Sequence, residues 1–85
     1  MTVRLKFFAG LREAVGSAGE SLTLPAEVAT VGALRQHLAA RGGVWAEHFA
    51  PARNVRAAVN QDMAKLDAAV QAGDEVAFFP PVTGG

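Results

Sequence analysis

The two residues at the carboxyl end of the chain, Gly84 and Gly85, are the first candidates for chemistry. Glycine loses the most backbone entropy on ordering and has no side chain to pack, so a Gly-Gly end adds little to a core. One interpretation is an ordinary frayed terminus. The other is a probe: a segment without side chains fits a channel that excludes bulkier residues, and the Gly85 carboxylate is its reactive group.

The residues before this end change abruptly from a strand-like pattern to a proline-containing segment. Glu75 to Phe79 alternates between two faces, which predicts a strand. Pro80 and Pro81 then end it, because proline has no N–H for a ladder and fixes φ. Fully extended, residues 80–85 reach roughly 20 Å. We therefore predict a folded domain over residues 1–79 and an extended tail over residues 80–85.

Other kinds of reactive group are absent or badly spaced. The chain has no cysteine, which removes disulfides, thiolate ligands and a cysteine nucleophile. If it carries sulfur, the terminal carboxylate is the only attachment point suggested. His37 and His48 have no acidic partner at ligand spacing, and Gly42-Gly43 lacks the Lys-Ser/Thr of a phosphate loop. We expect this chain to bind no metal or cofactor and to have no activity alone.

Size and composition favour one small domain. The chain has 85 residues, of which 51% are hydrophobic, enough for one modest core. Eight basic and eight acidic residues cancel, and no Lys/Arg cluster predicts nucleic-acid binding. No apolar run approaches the ~20 residues of a membrane span, and no signal segment precedes the first strand. We expect a soluble, cytoplasmic protein.

The apolar periodicity predicts five strands and one main helix that would position the tail. The strands are expected at residues 2–8, 21–24, 55–59, 63–66 and 75–79. The helix should begin after Thr30, which is a good N-cap. One face of the helix should carry the apolar residues Val31, Leu34 and Leu38. We expect Arg41 in its last turn and Gly42-Gly43 at its end. A mixed sheet with this helix on one face satisfies the order, an α+β fold.

Four segments resemble, in order, the family of molybdopterin synthase small subunits, which are sulfur carriers with the ubiquitin-like β-grasp fold. They are Phe7–Glu13, Val31–Leu38, Ala58–Gln61 and Gly73–Gly85. The last, GDEVAFFPPVTGG, is the most specific, and together the segments extend over nearly the whole chain. The resemblance implies a β-grasp fold, in which the first and last strands lie side by side.

The resemblance also implies a reaction sequence at Gly85. A free carboxylate is a poor acceptor for a nucleophile, so an E1-like adenylyltransferase first uses ATP to form an acyl-adenylate. A persulfide-bearing sulfurtransferase, the sulfur donor, then supplies the sulfur that converts the acyl-adenylate into a thiocarboxylate at Gly85. The large synthase subunit receives the tail, namely Pro80, Pro81, Val82, Thr83 and Gly84. Sulfur passes there to the cyclic pyranopterin precursor of molybdopterin, within a heterotetramer.

A second predicted site is a surface that docks the partner. Phe8 falls on the polar face of the first strand, and Phe79 lies opposite Val76 and Phe78. If the two strands are neighbours, Phe8 and Phe79 lie close together. The family's hydrophobic interface corresponds to Phe8, Met63 and Phe79, and aromatic residues and Met are enriched in interface cores. Isolated surface apolar residues are also common, and Phe79 packing on its own tail is the alternative.

Three other functions fit the same pattern. One is a sulfur carrier of the thiamine type, although GDEVAFFPPVTGG favours the molybdopterin family. Another is a ubiquitin-like protein modifier joined through Gly85 to target lysines. The third is a β-grasp interaction module whose terminus does no chemistry.

Overall fold

A computed structural model describes residues 1–80 of the chain. The predicted tail residues Pro81, Val82, Thr83, Gly84 and Gly85 lie outside the described residues. The strands are β1 (Thr2–Phe7), β2 (Gly19–Thr23), β3 (Arg56–Val59), β4 (Asp62–Ala64) and β5 (Glu75–Phe79). The helices are α1 (Ala9–Val15), α2 (Val31–Ala39) and α3 (Gly43–His48).

The strands form one mixed sheet in the order β2-β1-β5-β3-β4. β1 runs parallel to β5, with Phe7 opposite Phe78, and the three other pairings are antiparallel. The first and last strands are therefore neighbours, as the resemblance to β-grasp proteins implied. Their pairing brings the segment after Phe7 and the segment after Phe78 to the same end of the sheet.

One face of the sheet, here called the core face, is covered by the helices. Val3, Leu5 and Phe7 alternate along β1 and are 0–2% exposed, which confirms the predicted half-buried strand. Leu34 and Leu38 of α2 pack into the same core and are fully buried. The opposite face, here called the outer face, carries the alternate residues of each strand.

The start of α2 was predicted correctly and its end was not. Thr30 is the N-cap, and its Oγ1 accepts a hydrogen bond of 3.1 Å from the Ala33 N–H. The helix ends at Ala39, so the expectation that Arg41 lies in its last turn is wrong. Arg41 instead stacks over the Trp45 ring, 4.4 Å from its centroid, and pairs with Glu20 of β2. Gly42 is the N-cap of α3 at φ 79°, a left-handed value that glycine adopts without strain.

Two short helices accompany the main one. The helix α3 over Gly43–His48 includes Trp45 and was not among the predicted elements. Phe49 caps it, is 1% exposed, and packs edge-on against Phe7 and Phe78 at centroid distances of 6.1 and 5.3 Å. These contacts explain the helix: aromatic burial against the sheet stabilises six residues that are too few to form a stable helix alone.

Candidate functional site

The outer face carries Phe8 and Phe79 side by side. Phe7 is opposite Phe78 in the parallel pair and both are buried, so the next residue of each strand lies on the other face. The Phe8 N–H continues the ladder by donating to the Phe78 carbonyl oxygen at 3.2 Å. Phe8 is 46% exposed and Phe79 is half-buried. The predicted proximity of the two aromatic residues therefore follows from the observed strand register.

Met63 lies on the same face but does not adjoin the aromatic pair. It is 61% exposed and opposite Ala58 of β3, and Ala58 is opposite Ala77 of β5. Strands are spaced by ~4.8 Å, which places Met63 on β4 roughly 10 Å across the sheet from β5. The two alanines between them form a low apolar floor. We call Phe8, Phe79, Met63, Ala58 and Ala77 the docking surface.

The register also brings charged residues around the docking surface. Arg4 and Lys6 precede Phe8 on the outer face of β1, and Lys6 Nζ lies 3.1 Å from Glu75 Oε1. Arg56 is opposite Phe79. Lys65 is the next residue in alternation after Met63. The basic residues thus border the apolar floor at both ends of the sheet.

The strand β5, which leads into the tail, is anchored where it begins, at Asp74 and Glu75. Asp74 Oδ1 accepts a hydrogen bond from Asn60 Nδ2 at 3.0 Å, and its Oδ2 accepts from the Gln71 N–H at 2.8 Å. The Asn60 side chain in turn accepts from the Glu75 N–H at 3.0 Å. Asn60 and Gln61 have φ values of 51° and 72°, as a tight turn of the primed type between β3 and β4 requires. β5 ends at Phe79, and Pro80 follows, as its missing N–H predicts.

The buried cation of the chain is Arg35 on α2, which is 9% exposed. Its Nε donates to the Phe49 carbonyl at 3.1 Å, and its Nη2 donates to the carbonyls of Ala50 and Arg53. Burial lowers the pKa of Arg35 because desolvation disfavours the charged form. Arg35 therefore ties the connection between α3 and β3 to the main helix.

Sequence reasoning missed part of this surface. Ala58 and Ala77 are 8% exposed, yet they lie on the outer face. The alternation along β5 was a signal for Ala77, because Ala77 lies two residues before Phe79 and therefore on the same face. Ala58 could be assigned to that face only once the pairing of β3 with β4 placed it opposite Met63. Arg35 was missed altogether, because a cation on an amphipathic helix ordinarily indicates the solvated side.

The described part of the chain contains no metal site and no membrane-spanning helix. No group of three His, Asp or Glu side chains that could hold a metal occurs within residues 1–80. His37 and His48 are half-buried on different helices. None of the helices in this part of the chain is both long and apolar enough to cross a membrane. Gly84 and Gly85, with Pro81, Val82 and Thr83, remain predictions because they lie beyond the described part.

Comparison with known proteins identifies relatives over almost the full length. The profile of the ThiS family matches residues 5–85. The molybdopterin synthase sulfur carrier subunit of Escherichia coli is 46% identical over 83 residues, which cover 98% of this chain and 99% of the relative. The subunit of the same name from Haemophilus influenzae is 44% identical, covering 93% and 94%.

A solved structure of similar fold carries a different functional name. The small archaeal modifier protein 1 of H. volcanii superimposes with a TM-score of 0.77 at 29% identity, over 95% of this chain and 98% of that one. The β-grasp arrangement described above is therefore shared with proteins whose names indicate sulfur carriage and with one whose name indicates protein modification.

Proposed function

This chain belongs to the ThiS family, and we propose that it is the sulfur-carrying subunit of a molybdopterin synthase, with the Gly85 carboxyl group as the attachment point. The observation that carries the proposal is the parallel pairing of β1 with β5. It places Phe8 and Phe79 at the point where the chain leaves the sheet, so a partner that covers the docking surface also meets the start of the tail.

The chemistry proposed at Gly85 needs three steps and two other proteins. A carboxylate oxygen attacks the α-phosphorus of ATP, pyrophosphate leaves, and an acyl-adenylate forms. The terminal sulfur of a persulfide then attacks the acyl carbon and AMP leaves. A thiol finally cleaves the S–S bond, which leaves a thiocarboxylate on Gly85 and a disulfide on the donor. An E1-like adenylyltransferase and a persulfide-bearing sulfurtransferase supply these steps.

The loaded carrier then delivers sulfur to the large subunit of the synthase. In the proposed complex, the docking surface contacts that subunit and residues 80–85 enter its active site, where the cyclic pyranopterin precursor accepts the sulfur. A tail of this length reaches roughly 20 Å when extended, so the docking surface and the reacting carbon contact different parts of the partner. Activation and transfer both use the same tail, so the adenylyltransferase and the large subunit bind in turn.

Protein modification is the second candidate. It is supported by the similarity to the archaeal modifier protein, which has the same fold and 29% identity. A modifier forms an amide bond between the Gly85 carbonyl and a lysine amine, whereas a carrier releases sulfur and recovers its carboxylate. The two functions therefore differ in the covalent fate of Gly85. A carrier of the thiamine type would load sulfur in the same way but deliver it to a different enzyme.

The intact mass of the protein distinguishes these functions. We expect incubation with ATP, the adenylyltransferase and a sulfur source to replace one oxygen of the chain by one sulfur, and addition of the large subunit with precursor to reverse that change as molybdopterin forms. Conjugates linked to lysine, with no molybdopterin formed, would support a modifier. A loaded chain that delivers nothing to the large subunit would support a carrier for another pathway.

A further inference from the structure

A cleft of about 730 Å³ opens beside the docking surface. It lies where β3 and the chain after β4 diverge, and it is bounded by the connection between α3 and β3. Phe78 and Val31 lie at its apolar inner side, and Met63 of the docking surface forms part of its rim. The cleft and the docking surface are therefore continuous.

Four cationic side chains line this cleft: Arg35, Arg53, Arg56 and Lys65. Among the described residues, no Asp or Glu belongs to its lining. Arg53 has an exposed partner, Glu47, at 3.5 Å. Within residues 1–80, neither Arg56 nor Lys65 forms an ion pair. The cleft thus concentrates positive charge that the described part of the chain leaves largely unbalanced.

The inner end of the cleft holds a charge that has no carboxylate partner in the described part of the chain. Within residues 1–80, Arg35 is bonded only to the carbonyl oxygens of Phe49, Ala50 and Arg53, which are neutral. A buried cation without an anion is costly, and burial accordingly lowers its pKa. An anionic group in the cleft would offset that cost by Coulombic attraction in a partly desolvated site.

The whole outer face shows the same imbalance. The chain is formally neutral, with eight basic and eight acidic residues. Among the residues that the strand pairings place, Arg4, Lys6 and Arg56 are on the outer face with one acidic residue, Glu75, an excess of two positive charges. The remainder of the molecule carries the compensating negative charge. A protein that approaches the docking surface therefore meets a basic field which the net charge conceals.

We propose that this cleft receives carboxylate side chains of the protein that covers the docking surface, so that the partner presents acidic residues beside an apolar contact. The inference rests on the proposed function, because it identifies the chemistry of the surface that accepts the tail. Arg56 is opposite Phe79, so the acidic residues lie next to the point where the tail begins. An apolar floor with charged edges suits a protein surface, since interface cores are apolar and their rims are polar.

The test compares the affinity of two variants of equal charge for the large synthase subunit. Arg56→Gln with Lys65→Gln removes two positive charges from the cleft. Ala40→Glu with Ala46→Glu adds two negative charges on the helical side, at exposed positions at the end of α2 and in α3 that do not line the cleft. All four positions are exposed, so both variants should unfold at the wild-type temperature. Arg35 is left intact because it holds the connection before β3.

We expect the cleft variant to bind at least about tenfold more weakly than wild type at ~0.1 M salt, mainly through slower association. The deficit should shrink to within about threefold at ~0.5 M salt, where screening shortens the range of charge interactions. The helical-side variant should bind within about threefold of wild type at both salt concentrations, because its charges are remote from the contact.

The outcomes separate the inference from the proposed function. If wild type binds the large subunit and the cleft variant binds no more weakly than the helical-side variant, the inference is wrong and the proposed function stands. If wild type does not bind the large subunit at all, the proposed function is wrong and the inference fails with it. A titration with inorganic phosphate at constant ionic strength, followed by amide chemical shifts, covers the remaining case. Saturable phosphate binding that the cleft variant loses, with unchanged affinity for the subunit, would indicate a small-anion site and overturn the inference.

Discussion

Phe8 and Phe79 come from opposite ends of the chain and lie beside each other because the parallel ladder continues one bond past β1. That bond joins the Phe8 N–H to the Phe78 carbonyl oxygen at 3.2 Å. Phe8 follows the buried Phe7, and Phe79 follows the buried Phe78. Each outer aromatic residue therefore has a neighbouring phenylalanine in the core that can serve as a control.

Truncation of the outer aromatic residues should separate binding from folding. We expect Phe8→Ala or Phe79→Ala to weaken association with the large subunit by ~2 kcal/mol or more, about 30-fold, because large apolar anchors dominate interface energies. Phe78→Ala, at a residue that is 1% exposed, should instead lower the free energy of unfolding by ~3–5 kcal/mol. Calorimetry of binding and urea unfolding measure the two effects. A loss of stability by Phe8→Ala equal to its loss of binding would assign Phe8 to the core.

The two terminal glycines should have different roles. Deletion of Gly85 moves the terminal carboxyl carbon back by roughly 3.5 Å, and a misplacement near ~1 Å already impairs a reaction. We expect the deletion to block thiocarboxylate formation or its use. Gly84→Val keeps the carbon in register but adds bulk, so it should impair transfer within the large subunit.

The measurement for both variants is intact mass after loading, followed by product formation. Unfolding of each variant should match wild type. Wild-type conversion of the precursor by the Gly85 deletion would exclude the terminus as the sulfur carrier.

The isolated chain should have no turnover. We expect it neither to hydrolyse ATP nor to convert the precursor without its partners, because the proposal assigns both activities to other proteins. Phosphate release from a pure sample measures the first and product fluorescence the second. Steady ATP hydrolysis that survives further purification would contradict the assignment.

The anchor at the start of β5 should contribute measurably to stability. Asp74→Ala removes acceptors from the Asn60 amide and the Gln71 N–H. We expect a loss of ~1–2 kcal/mol in the free energy of unfolding, about one for each net hydrogen bond. Asp67→Ala is the matched control, since the Asp67 carboxylate accepts no side-chain hydrogen bond within residues 1–80. Urea unfolding compares them, and equal stabilities would show that the turn holds without Asp74.

Two glycines near the N-terminal hairpin should respond in opposite directions to alanine. A Cβ at Gly19 would lie 2.3 Å from the Leu5 carbonyl oxygen. Both atoms belong to the paired backbones of β1 and β2, so neither can move away without breaking the ladder. We expect Gly19→Ala to destabilise by ~2 kcal/mol or more. Gly10 in α1 has nothing within 4 Å of that position, so Gly10→Ala should stabilise by roughly 0.5–1 kcal/mol. A thermal unfolding series tests the pair, and tolerance of alanine at Gly19 would refute the close approach.

Local pattern predicted most of the elements. The alternation along β1, the Thr30 cap of α2 and the end of β5 before Pro80 each depend on residues close in sequence, so they could be identified without the fold. The end of α2 could not. Gly42-Gly43 suits the end of one helix and the start of another equally well, and burial of Phe49 against Phe7 and Phe78 favoured the second.

By itself, the sequence determined which face each strand residue occupies and which segment could carry a reactive carboxyl group. A period of two and a terminal Gly-Gly are both local properties. Only the tertiary structure decided that Phe8, Phe79 and Met63 share one surface, that two alanines join them, and that four cations line one cleft beside it. The reason is that strand order and register arise from long-range hydrogen bonds, here the parallel pairing of the first strand with the last. A chain with equal numbers of acidic and basic residues gives no sign of how the fold separates them.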